Sequence, residues 1–317
     1  MKKTRVVIIG AGHVGSHCCS ALAAGRVADE IVLIDCIEEK AGAQARDISD
    51  SISFLPSPVK VWAGDYSDCA EADIAVVSVG KSRVPGQTRL QQLDVSIVMA
   101  REVAGRLRDS GFKGIVIGIT NPADILADCL RKELGFPRER VFSTGTLLDT
   151  ARLRARIAEY LNISQKNVHA YVFGEHGETS FVPWSIAEVS TINLQDYKQL
   201  IRLQNDVMVD LDYEEIDTYM RSSGAKIIAR KGCTNYAIAI SVCGICECIY
   251  GGVNAVVTVS TMLHGEYGVS DVCLSLPAFL GEGKIQGRIT PRLTEDEIAK
   301  LHISADSLKK VISEMNF

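Results

Sequence analysis

Aromatic residues are scarce in this chain, with two Trp, nine Tyr and eight Phe among 317 residues, and no stretch interleaves them with Lys or Arg. Basic charge is not in surplus either: 34 Lys and Arg stand against 39 Asp and Glu, a formal net charge of -5. A nucleic-acid binder needs a cationic footprint, and that class is set aside. Long apolar runs are missing as well. The N-terminal run Arg5-Val6-Val7-Ile8-Ile9 stops at Gly10, too short for a signal peptide or a membrane span, so a cytoplasmic protein is expected. There is no internal repeat, no Pro/Ser-rich linker, no Gly-x-Ser-x-Gly elbow for a serine hydrolase and no His-Glu-x-x-His for a zinc enzyme.

Cysteine is present, ten in all, without an export signal, and thiols in such a chain are expected to stay reduced. The cluster Cys243-x-x-Cys246-x-Cys248 lies in Ile238-Ala239-Ile240-Ser241-Val242-Cys243, which reads as a buried helix in which cysteine packs as a small hydrophobe, and no metal site is assigned. At this length the chain buries a full core without disulfides.

Short β-branched runs alternate with helical stretches through the first half. Arg5 to Ile9, Ile31 to Ile34, Val59 to Trp62, Ile74 to Val79 and Gly114 to Ile119 fit buried parallel strands. This is the βαβ rhythm of a doubly wound α/β sheet. The rhythm changes near Val141 to Gly145. A helix over Leu147 to Leu161 follows, then a strand-like His169 to Phe173 and an acidic helical region through Asp210 to Met220. The spacing predicts an N-terminal Rossmann domain over 1–143 and a C-terminal mixed α/β substrate domain over 144–317, with the ligand in the cleft between them.

Gly10-x-Gly12-x-x-Gly15 directly follows the first strand and opens a helix, and Asp35 ends the next strand. One glycine makes the tight turn, one lets the backbone approach a pyrophosphate, and one allows close helix packing. The carboxylate takes ribose hydroxyls. Asp35 repels a 2′-phosphate, and Cys36 adds no cation, which favours NAD over NADP.

Three further segments carry polar chemistry. Gly174-Glu175-His176-Gly177 sets a histidine between glycines after a strand-like run, although a lone histidine is more often structural. Asp149 and Arg152 share a helix face, either as an intrahelical ion pair or as a carboxylate and guanidinium aimed into one cavity. The loop Gly80 to Arg89, with Lys81, Arg83 and Gln87, follows the fourth strand at the ligand-binding edge, and Asn121-Pro122 follows the fifth.

With these blocks in view, the sequence resembles the L-lactate and L-malate dehydrogenase family along essentially its whole length. The matching segments are Ile9 to Gly15, Ile119-Thr120-Asn121-Pro122, Gly145 to Arg152, Gly174 to Gly177, and Val259-Ser260-Thr261-Met262 with Tyr267-Gly268. The resemblance implies a reversible hydride transfer between NAD and a small 2-oxo or 2-hydroxy acid. His176 is then the acid and base, Asp149 its orienting carboxylate, Arg152 the substrate-carboxylate anchor and Arg89 the group that polarises the carbonyl. Asn121 lies near the reacting carbon and nicotinamide, Ile238 on the ring, and Thr234 by the substrate side chain. A homotetramer is implied if the protein is lactate-like, and a dimer or tetramer if it is malate-like. Arg154 and His169 match positions that bind fructose 1,6-bisphosphate in regulated bacterial lactate dehydrogenases, although a surface helix residue and a strand end would look the same.

The chain-wide pattern is closer to lactate dehydrogenases, whereas Arg83 is not. Malate dehydrogenases usually carry arginine there, and a guanidinium closed against pyruvate's methyl would lose solvation without a partner. Lactate and malate both stay open at this point. A binder of NAD that has lost catalysis predicts damage at His176, Asp149, Arg152 or Arg89, and all four are intact.

Overall fold

The computed structural model describes residues 3–56, 58–80, 89–196, 210–251, 253–281 and 283–315, with only the backbone of 89–92. Arg83, Lys81 and Gln87 lie outside the described residues, as does the side chain of Arg89.

Six parallel strands form the first part of the sheet: β1 (Arg5–Ile9), β2 (Glu30–Ile34), β3 (Lys60–Ala63), β4 (Ile74–Val77), β5 (Ile115–Gly118) and β6 (Val141–Ser143). Their spatial order, β6-β5-β4-β1-β2-β3, reverses between β1 and β4. That reversal is the topological switch point of a doubly wound fold, where ligands meet the carboxyl ends of the strands. The strands are apolar on both faces because helices cover both. Val7, Ile9, Val32 and Val77 pack towards α3 (Arg89–Asp109) and α4 (Ala123–Leu134). Val6, Ile8, Leu33 and Val76 pack towards α1 (His13–Gly25) and α2 (Glu38–Ser51). The expected strands are all present, with ends moved by one or two residues where the chain turns out of the ladder.

Beyond β6 comes α5 (Leu147–Leu161), over the range the spacing predicts. The strand expected over His169 to Phe173 is shorter. Only β7 (Val168–His169) lies in a ladder, in a small antiparallel sheet with β8 (Glu188–Val189) and β9 (Ile192–Asn193). Residues 170–173 leave that sheet because Phe173 bridges to Phe181 and Gly174 to Ser275, which carries the chain toward the larger sheet. The acidic region folds as α6 (Tyr213–Lys231), begun by the Asp212 side chain accepting from the Glu215 N–H.

The cysteine cluster lies on α7 (Tyr236–Ile249), where Cys243, Cys246 and Cys248 are buried and burial raises all three thiols. The long hairpin β10 (Ala255–Glu266) and β11 (Val269–Gly281), with β12 (Lys284–Arg288), was not foreseen. It joins the first sheet antiparallel through Ser260 and Ser143, making one nine-stranded mixed sheet. The closing helix α8 (Glu295–Ser313) starts with a capping box between Thr294 and Glu297.

Candidate active site

The glycine turn sits at the switch point. Gly10 has φ +105, and a Cβ there would lie 2.5 Å from the Ser78 carbonyl oxygen. A Cβ at Gly15 would run into the Gly10 carbonyl oxygen, so helix α1 approaches the strand only because Gly15 has no side chain. Gly12 caps α1 without a side-chain hydrogen bond, leaving the first amides of the helix free for an anion. A Cβ at Gly12 would meet only the Lys40 Nζ within reach, at 3.9 Å, so the cradle is open enough for a pyrophosphate.

Asp35 follows β2 and accepts from the Ala11 N–H at 2.7 Å and the Ile37 N–H at 3.0 Å. Burial works against its charge, but these two bonds and Lys40 outweigh it and hold the carboxyl below its ordinary range. It remains an anion, suited to accept from ribose hydroxyls. Lys40, 3.7 Å from Asp35, is a cation that sequence reasoning missed. It is paired to Asp35 and shares the first turn of α2 with Glu38 and Glu39. These residues fit a dinucleotide.

Next to the turn opens a cavity of about 640 Å³, lined from both halves of the chain. Val14 of α1 and Asn121 reach it from the first half. Asp149, Arg152, His176, Thr234 and Ile238 reach it from the second. The cavity therefore gathers six of the expected site residues: Asn121, Asp149, Arg152, His176, Thr234 and Ile238.

Asp149, in the first turn of α5, is 5% exposed and bridges a guanidinium and an imidazole. One oxygen accepts from Arg152 Nη1 at 2.9 Å and the other lies 2.6 Å from His176 Nδ1. The intrahelical ion pair and the cavity-facing pair are thus the same arrangement. A carboxylate at Nδ1 requires the proton there, which leaves Nε2 to exchange a proton with a ligand. Burial pulls the His176 proton affinity down. The hydrogen bond and charge of Asp149, with the charge of Asp124, more than offset this and Arg152, so the imidazole holds its proton above the ordinary pKa of 6.5.

The Arg152 fork lies beside Gly224 of α6, where a Cβ would stand 3.5 Å from both Nη atoms.

Arg154 and His169 lie elsewhere. Arg154 Nε donates to the Ala170 carbonyl at 2.9 Å and its guanidinium lies 4.8 Å from the Tyr171 ring centroid, while His169 is exposed on β7. Among the described residues no group of three or more His, Cys, Asp or Glu is placed to hold a metal.

Residues 4–143 match the family described as lactate/malate dehydrogenase, NAD binding domain, and residues 146–316 match the lactate/malate dehydrogenase, alpha/beta C-terminal domain. The L-lactate dehydrogenase of Geobacillus stearothermophilus is 40% identical over 309 residues, 98% of this chain and 96% of that protein. The L-lactate dehydrogenase of Shouchella clausii is 39% identical over 308 residues, 97% of this chain and 94% of that protein. Among solved structures, a lactate dehydrogenase from a Medee basin deep-sea metagenome, MGS-M5, superposes with a TM-score of 0.95 at 33% identity, covering 100% of both chains. The minor L-lactate dehydrogenase of Enterococcus mundtii does so with a TM-score of 0.94, also at 33% identity and full coverage.

Proposed function

The chain belongs to the lactate/malate dehydrogenase family, and from that premise we propose how its own residues carry the reaction. It is an NAD-dependent oxidoreductase of the L-lactate dehydrogenase kind, acting on a small 2-oxo or 2-hydroxy acid. The observation that carries the residue roles is the Asp149–His176 pair set beside Arg152 on one cavity.

When bound, NADH supplies the hydride. Arg152 grips the substrate carboxylate with a two-pronged hydrogen bond, which fixes the face of the carbonyl that is attacked. His176 gives the Nε2 proton to the carbonyl oxygen as negative charge develops there, and takes it back in the oxidative direction. Asp149 holds the ring and stabilises its cation. Asn121 hydrogen-bonds near the reacting carbon, Ile238 packs on the ring side of the cavity, and Thr234 faces the substrate side chain. Arg89 polarises the carbonyl from the loop, and Gly10, Gly12, Gly15 and Asp35 hold the dinucleotide. The division we propose falls at 143/144, with residues 1–143 the cofactor domain, lending Arg89 and Asn121 to the substrate, and 144–317 the substrate domain.

Malate dehydrogenase activity, raised by Arg83, is not favoured, since the relatives just compared are L-lactate dehydrogenases. The test is NADH oxidation with pyruvate and with oxaloacetate side by side, repeated on Arg83→Gln. Preference for pyruvate supports this reading. Preference for oxaloacetate that reverses in the variant overturns it.

A homotetramer is the assembly we infer. Tyr236 and Ile240 on α7, 65% and 64% exposed, give such an assembly apolar surface to cover. Arg154 and His169 are the pair we assign to fructose 1,6-bisphosphate in such an assembly; sedimentation with and without the bisphosphate, on the parent and Arg154→Ala, tests both. No helix among the described residues is long and apolar enough to cross a membrane, and we place the enzyme in the cytoplasm.

A further inference from the structure

His176 is held at two points, and only one is its side chain. The loop that carries it is tied to β11 through paired Gly174 and Ser275 backbone bonds and to α8 through the Glu175 N–H, which donates to Ser304 Oγ at 2.8 Å. At His176 itself, the backbone N–H donates to Asp124 Oδ2 at 2.8 Å. Asp124 is 3% exposed and lies in the first turn of α4, three residues after Asn121. One short segment thus presents an amide to the substrate cavity and a carboxylate to the backbone of the proton donor.

We propose that Asp124 is a positioning residue for His176: its buried carboxylate fixes the His176 backbone relative to Asn121 and supplies a second negative charge behind the imidazolium, opposite Arg152. The inference rests on the proton-donor role assigned to His176 above.

The charge balance of the site supports it. Facing His176 are Asp149 and Arg152 from α5 and Asp124 from α4. Asp149 and Asp124 favour the imidazolium and Arg152 works against it. Without Asp124 one of the two supporting carboxylates is gone, in a partly desolvated cavity where each unit of charge counts for more than in water. Facing Asp124 are His176 and Glu175 from the histidine loop, the Ser260 hydroxyl from β10 and Cys273 from β11. Burial pushes the Asp124 carboxyl up to about 6, while Ser260 and His176 restrain the rise. The hydrogen bond from the His176 N–H, which positions the loop, also favours the charged carboxylate.

Asp124→Asn and Asp124→Ala in the full-length protein separate the two contributions. Asparagine keeps an oxygen for the His176 N–H and removes the charge; alanine removes both. Two readouts are taken: the pH dependence of kcat/KM for pyruvate reduction, and the imidazole titration of His176 followed by NMR of isotope-labelled histidine without substrate. Asp124→Asn should bind NADH as the parent does, and both profiles should move to lower pH by about half a unit or more. Asp124→Ala should show the same shift and lose about a further tenfold in kcat, as expected when a group that orients the acid is released.

Profiles of Asp124→Asn that coincide with the parent overturn the electrostatic part. Equal kcat in the two variants overturns the backbone part. Absence of turnover on any 2-oxo acid by the parent would instead defeat the catalytic reading, while the imidazole titration would still report on Asp124.

Discussion

The glycine turn and the histidine loop are both short, glycine-flanked segments at the carboxyl edge of one sheet, yet they depend on their surroundings very differently. The turn carries most of its own geometry. Gly10, Gly12, Gly15 and Asp35 all belong to one β1-α1-β2 unit, in its first turn, its helix and the end of its second strand, and the Ala11 amide already binds Asp35. The loop carries almost none. His176 acquires its tautomer from Asp149 on α5, its backbone position from Asp124 on α4, and the support of its neighbour Glu175 from Ser304 on α8. Anion binding at a helix N-terminus is a property of local backbone, so one segment suffices. A proton donor working near neutrality needs opposing charges brought in from several directions.

Substitutions at the two places should fail in different ways. His176→Asn should cut kcat by about 10²- to 10⁴-fold, the usual worth of a positioned general acid, with NADH affinity close to the parent's in a fluorescence titration. Loss of NADH binding in parallel would mean that the loop also builds the cofactor site, and the contrast would fail.

Gly15→Ala should do the reverse. The added Cβ meets the Gly10 carbonyl, which is backbone and cannot swing aside, so α1 must move away from β1. Thermal unfolding should fall by several degrees, for a cost of about 1–3 kcal/mol typical of overpacking, and NADH should bind more weakly. Turnover at saturating NADH should suffer far less than in His176→Asn. An unchanged melting temperature would show that the turn has slack the structure does not display.

The same asymmetry explains what the sequence made legible. The parallel strands and α5 were readable because a strand buried on both faces leaves an unbroken apolar run, and a helix leaves its own period. The hairpin of β10 and β11 was not, because Val259-Ser260-Thr261-Met262 mixes hydroxyls with apolar residues where β10 sits against β6. The Asp149 and Arg152 pair and His176 were found as two separate hints that a family resemblance joined. Asp124 escaped altogether. An acid in the first turn of a helix looks like ordinary dipole compensation, and its partner lies 52 positions further along the chain. Lys40 was overlooked although it is only five positions from Asp35, because a lysine beside Glu38 and Glu39 in a first helical turn looks like ordinary surface charge.

The smallest expected effect is on pH dependence, and its sign follows from the balance around His176. The charge and hydrogen bond of Asp149, with Asp124, hold the imidazole protonated above 6.5, against burial and Arg152. Reduction of a 2-oxo acid consumes that proton, so its kcat/KM should stay level through pH 6.5 and fall only as pH rises past the raised value. Oxidation of the 2-hydroxy acid needs the neutral ring and should rise over the same interval. The linked contribution to folding has the same direction. A group whose folded pKa is raised adds stability that is complete below 6.5 and disappears as pH climbs through the folded value. Asp149→Asn should lower that value and move the reductive limb toward acid. A reductive limb centred at or below 6.5 in the parent would mean that burial and Arg152 outweigh the two carboxylates, and that the loop's dependence on distant charges is weaker than its hydrogen bonds suggest.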